Sequence, residues 1–153
     1  MIEITRSPRA DTRTCDFTKV TLNDFEEDIL KHKNDVVKGM AYLSNLLNTA
    51  GKLHDYTKIK YMDEFYADFK TGFANKDWYN KHMEIERHHL DYEEYVPDDV
   101  DLLDVLEMIV DGVMAGLARS GEYRQAEVSD DLLRKAFYNT INLMLKNVRV
   151  VDK

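Results

Sequence analysis

The chain has 153 residues, enough for one domain that buries a core without staples, and its 44% apolar and 33% charged residues exclude a disordered chain. No apolar stretch approaches the length of a membrane span, so no membrane partner is expected. The net charge is −8, and nine acidic residues with no Lys or Arg lie between Asp91 and Asp111, which argues against a long nucleic acid but not against a small phosphorylated substrate.

The single cysteine, Cys15, can form no intrachain disulfide and fits a reducing, cytoplasmic setting. Residues 1–20 read as an N-terminal arm whose Arg6, Arg9, Arg13 and Lys19 are either a solvated tail or a cover for an anionic ligand. No β-like alternation in the chain lasts long enough to build a sheet, and an all-α bundle of about five helices is expected over 21–153.

The first predicted helix starts after Thr21 with an acidic first turn, carries Ile29, Val36, Met40, Leu43 and Leu47 at helical spacing, and stops at Gly51. A second covers about 59–70. A third runs from 75 or 76 to about 90. A fourth covers 99–118, ending at Ser120-Gly121. Ser129 caps a last helix reaching Asn147.

Polar residues interrupt this pattern in an ordered way. His32 falls on the apolar stripe of the first helix. Asp111 lies in 108-MIVDGVMAGLA-118, where every other residue is apolar or glycine, so a buried carboxylate in need of a cation or donor is expected. In 82-HMEIERHH-89, His82, Glu86 and His89 would share one helix face at i, i+4, i+7. All five histidines, His32, His54, His82, His88 and His89, precede Asp111, and His54 is followed at once by Asp55. Imidazoles and carboxylates gathered on separate helices can build a metal site in a bundle core.

The order His32, His54-Asp55, Asp111, together with 53-LHDYTK-58, resembles the HD-domain superfamily of metal-dependent phosphohydrolases, with Thr57 where that family's L-H-D-x-G-K form has glycine. The H-x5-H-H cluster after H-D-x-x-K is similar to a small, uncharacterised HD-like family of bacteria and phages. The resemblance implies that His32, His54, Asp55 and Asp111 ligate a divalent metal (Mn, Mg, Fe, Co, Ni or Zn), and that His82 with His88 or His89 adds a second ion. It implies that Lys58 meets the substrate phosphate.

The expected reaction is hydrolysis of a nucleotide or other small phosphate ester by metal-activated water. Glu86 or an unpaired His88 is a candidate general acid, and Arg87, Arg119 or the N-terminal arginines are candidate contacts for a second phosphate. Tyr56, Tyr61, Tyr66, Trp78 and Tyr79 read first as core at helical spacing, and second as rings able to stack on a base. Two other classes stay open: a dinuclear-iron HD-type oxygenase, which could use the same ligands, and a non-catalytic HD-like module that binds a protein. The oligomeric state, a homo-oligomer included, is open.

Overall fold

The structure is a computed structural model that describes residues 1–6, 15–123 and 126–152. The chain is all-α apart from two short strands. In chain order the elements are β1 (Ile2–Thr5), α1 (Leu22–Leu53), α2 (Tyr56–Lys60), α3 (Met62–Lys70), α4 (Asp77–Ile85), a 3-10 turn (Glu93–Tyr95), α5 (Leu102–Ser120), α6 (Asp130–Asn147) and β2 (Val148–Val151). None of these helices is long and apolar enough to cross a membrane.

The described chain forms two compact units, and the divisions fall inside α1 and α6. One unit comprises 1–46 with 142–153, the other 47–141. In the first, β1 and β2 pair in parallel, Ile2 opposite Val148 and Thr5 opposite Val151. This sheet corrects the expectation of none. Four-residue strands are too short to show a period in sequence. An ion pair and a hydrogen bond flank the sheet: Arg6 meets Asp152 at 3.0 Å, and Lys38 Nζ donates to Glu3 O at 3.0 Å. Part of the expected arm is therefore a strand. Arg9 and Arg13 lie outside the described residues, and Lys19 pairs with Asp16 at 2.9 Å.

The stripe that sequence reading assigned to the core face of α1 is not buried. Ile29, Val36 and Met40 are each half exposed or more, and His32 is exposed among them.

The second unit holds the apolar cluster of Leu90, Val100, Val105, Met108 and Ala136, with Leu102 and Leu132 packed against it. The start of α5 is fixed by polar contacts around this cluster. Asp101 caps the helix by accepting from Leu103 N and Asp104 N, and Asp104 Oδ2 accepts in return from Asp101 N. This reciprocal box satisfies donors that no helical carbonyl reaches. Leu102 N donates to Thr140 Oγ1 of α6 at 2.9 Å, and Asn139 Nδ2 donates to Val100 O at 2.8 Å. Gly121, at φ 75°, ends α5 in a conformation that glycine adopts without steric cost. The Ser129 cap of α6 is present, with Leu132 N donating to its hydroxyl at 3.2 Å.

Two predicted helices divide differently. The one expected over 59–70 is α2 and α3, broken at Tyr61, whose φ of −117° is not helical. The one expected to reach residue 90 ends at Ile85.

Candidate metal centre

α1 continues through Gly51, where a stop was expected, and ends at Leu53. The chain turns instead at Asp55, with φ 56° and ψ 23° in the left-handed region. Aspartate is among the few non-glycine residues that adopt it at modest cost. The turn sets the His54-Asp55 doublet between α1 and α2. His54 Nε2 lies 3.4 Å from Asp55 Oδ2 and 3.4 Å from Asp111 Oδ1, while its Nδ1 is 2.9 Å from Glu107 Oε1. Lys58 Nζ pairs with Asp55 Oδ2.

His82 comes from the last turn of α4 and is buried. Glu86 follows with extended backbone, φ −81° and ψ 115°, so Glu86, Arg87, His88 and His89 leave the helix. The expected shared face of His82, Glu86 and His89 is therefore overturned. Glu86, Arg87 and His88 each face a residue of another element or its cap, and His89 turns back onto His82. Glu86 Oε1 accepts from Thr57 N (2.9 Å) and Thr57 Oγ1 (2.6 Å). Arg87 forms a fork with Asp104, Nε to Oδ1 and Nη2 to Oδ2 both at 2.8 Å, and reaches Asp99 Oδ1 at 2.9 Å. His88 Nδ1 lies 3.2 Å from Glu107 Oε1, close but out of line for a hydrogen bond. His89 Nε2 lies 2.9 Å from His82 Nε2.

Among the described residues this arrangement gathers two groups able to hold a metal, His54, His88 and Asp111, and Asp55, His82 and His89. Within each group one ligand atom per residue lies within 4.8 Å of the others. Both His88 and His89 are thus at the centre, in different triads. His32 belongs to the other unit and is in neither. The Asp55 carboxylate faces both triads, Oδ2 at 3.4 Å from His54 Nε2 and Oδ1 at 3.4 Å from His82 Nε2. Two ligands held at about 2.1 Å in a tetrahedron stand roughly 3.4 Å apart, so these spacings fit a divalent ion.

The hydrogen bonds fix where the lone pairs lie. Thr57, completely buried, has one hydroxyl proton, and it goes to Glu86 Oε1. His82 Nδ1, 2.7 Å from the same hydroxyl oxygen, must then be the donor in that contact, and Nε2 carries the lone pair. That nitrogen faces Asp55 Oδ1, a buried oxygen without a hydrogen-bond partner. The His82 Nε2 lone pair is met by His89 Nε2, 2.9 Å away, while Asp55 Oδ1 keeps no donor, a lack that a bound cation would make good. His88 Nε2, buried and also without a partner, repeats the pattern in the other triad.

Burial pushes the His82 pKa down to about 4 and, with help from the neighbouring His88, that of His89 down to about 3, so both are neutral, the form able to bind a metal, at ordinary pH. Burial also opposes protonation of His88, but the Glu107 carboxylate outweighs it and holds its pKa above the usual value. Burial acts to raise the Asp55 pKa, yet the Lys58 ammonium more than offsets this and keeps it low.

Several site expectations change. Asp111 is only partly buried, with 37% of its side chain exposed. Glu86 is a buried acceptor for Thr57 and is not poised as a general acid. Arg87 is held by Asp104 and Asp99 rather than open to a phosphate, and Arg119 is exposed in the last turn of α5. Trp78 is buried and stacks on His82 and Phe65, at 4.8 and 4.1 Å between ring centres, which makes it a support for the imidazole. Two contributors were missed, Glu107 and Thr57. Glu107 stands one turn before Asp111, at the i, i+4 spacing that puts both on one helix face. The signal for Thr57 was its presence where the resembled motif has glycine.

No curated protein and no solved structure matches the chain. Residues 21–148 match the model of a family of unknown function (DUF5662), and the chain belongs to that family.

Proposed function

We propose that the chain is a metal-dependent phosphohydrolase that holds a divalent cation at each triad and cleaves a small phosphate ester. The observation that carries this reading is Asp55 Oδ1, a buried carboxylate oxygen without a hydrogen-bond partner that lies 3.4 Å from the His82 imidazole. The resemblance of 53-LHDYTK-58 and its histidines to HD-domain phosphohydrolases supports the choice of reaction.

A bound divalent ion supplies hydroxide near neutral pH and polarises a phosphoryl oxygen. The chain's own residues do the rest. Glu107 holds the Nδ1 side of His54, which leaves Nε2 for a ligand role, and Thr57 does the same for His82. Lys58, 31% exposed and beside Asp55, offers its ammonium to charge building on the phosphoryl oxygens. In the reaction the water oxygen bonds to phosphorus, the bond from phosphorus to the ester oxygen breaks, and the departing oxygen keeps the electron pair and takes up a proton.

The test is phosphate release from phosphomonoesters with added Mn2+, alongside metal content. Wild type should turn over and Asp55→Ala should lose metal and activity together. Unchanged metal and activity in Asp55→Ala would end the proposal.

One observation favours a second reading. Each triad is two histidines and one carboxylate, the ligand set of non-haem Fe(II) oxygenases. Oxygen consumption by the iron-loaded protein, with no phosphate release under any metal, would select the oxygenase.

A further inference from the structure

A cavity of about 570 Å³ is lined by His54 and Asp111, two members of the first triad, and is within the size range of small-ligand sites. Its polar lining is His54, Glu107 and Asp111, and the rest is apolar surface of α1 and α5, including Leu47, Val110 and Met114. No Lys, Arg, Asn or Gln is among its lining residues, and His54 supplies its sole aromatic ring. Rings that could have stacked on a base are elsewhere. Trp78 is in the core, and Lys81 Nζ sits 3.5 Å above the Tyr61 ring. A nucleotide would find neither a stacking platform nor donors for its sugar and base here.

We propose that this cavity is the substrate pocket and that it takes an aliphatic group, so the substrate is an alkyl or otherwise apolar phosphate ester whose anionic head reaches His54 and Asp111. The head-group half rests on the metal reading above; the apolar half rests on the cavity alone. The continuity of the apolar walls with the ligand triad singles out a small amphiphile over a purely polar ester. Val110 and Met114 remain 55% and 66% exposed, which leaves the pocket open to solvent for entry.

Gly51 gives the means to test this. It lines the cavity, it lies within α1, and a Cβ added there meets nothing within 4 Å. Gly51→Leu therefore fills the pocket while suiting the helix.

The experiment is titration calorimetry on the intact chain with methyl-, butyl- and octylphosphonate, with and without Mn2+. Each methylene that is fully buried tightens binding about fourfold. Butylphosphonate should bind wild type at least tenfold tighter than methylphosphonate. Gly51→Leu should bring that ratio close to unity and leave methylphosphonate unchanged. Met114→Ser, at an exposed wall position, should reduce the ratio in the same direction. A flat series on wild type, or a ratio that survives Gly51→Leu, overturns the pocket. A flat series in which Gly51→Leu alters the oligomeric state overturns it too, in favour of a second copy in the groove.

The neutral alcohols 1-butanol and 1-octanol separate this from the metal reading. If phosphonates bind no tighter than alcohols and Mn2+ has no effect, the metal reading fails, while a chain-length effect abolished by Gly51→Leu still upholds the pocket. If Mn2+ tightens phosphonate binding without any chain-length effect, the pocket fails and the metal reading stands.

Discussion

Thr57→Val keeps the shape of a completely buried side chain and removes only its hydroxyl. That hydroxyl donates to Glu86 Oε1 at 2.6 Å and receives His82 Nδ1 at 2.7 Å. The substitution leaves Glu86 with the backbone N–H of residue 57 alone and strands the Nδ1 proton of an imidazole whose side chain is 4% exposed. An unsatisfied buried polar group costs about 1–3 kcal/mol, and a hydrogen bond to a charged group contributes about 1.5–3 kcal/mol. The added apolar contact of valine returns part of this, so the expected loss of stability is about 3 kcal/mol. The imidazole also loses the bond that assigns its proton to Nδ1. Loss of such an outer partner lowers metal affinity about 10–100-fold. Urea unfolding of metal-free protein reads the first effect and calorimetric Mn2+ titration the second. Thr57→Ser, which keeps the hydroxyl, should retain metal affinity within a few-fold. If Thr57→Val matches wild type in both assays, the tautomer argument is wrong.

Three further predictions rest on separate contacts. Glu107→Gln should weaken metal binding at the His54, His88 and Asp111 triad by about 10–100-fold in the same titration, because it removes the carboxylate 2.9 Å from His54 Nδ1. Arg87→Met should lower stability by about 2 kcal/mol in urea unfolding, since it leaves the buried Asp104 without its fork; phosphate release per folded molecule should be unchanged, which a substrate-binding arginine would not allow. Metal-free protein should lose stability as the pH falls from about 6.5 to about 4, because the unfolded chain binds protons there that His82 and His89, with pKa values of about 4 and about 3, do not. The loss is on the order of a few kcal/mol. His88 opposes it: its raised pKa adds stability below 6.5 that disappears as the pH rises through the raised value. Stability rising on acidification from 6.5 to 4 would contradict this assignment.

The sequence made the ligand types and the helical class legible, because His54-Asp55 and the 82–89 histidines break strong apolar patterns. It misplaced how those ligands meet. Periodicity assumes that a helix continues, and α4 stops at Ile85, where Glu86, Arg87 and His88 each face a distant residue that a continuing helix would not present to them. Arg87 was legible as a cation but not as the partner of Asp104, seventeen positions away. His32 was assigned to a buried stripe on spacing alone, and spacing does not reveal whether a face is covered; that stripe is exposed. The strands β1 and β2 were beyond reach because each is defined by the other, at opposite ends of the chain.

The central claim is that each triad, the one that contains Asp55 and the one that its carboxylate faces, holds a cation. Metal bound per chain, measured by elemental mass spectrometry after equilibration with Mn2+ and removal of free ion, tests it most directly. The account predicts two ions per wild-type chain, one for each triad, and a clear fall in Asp55→Ala. A wild-type chain that retains no metal, or an Asp55→Ala chain that retains as much as wild type, would contradict it.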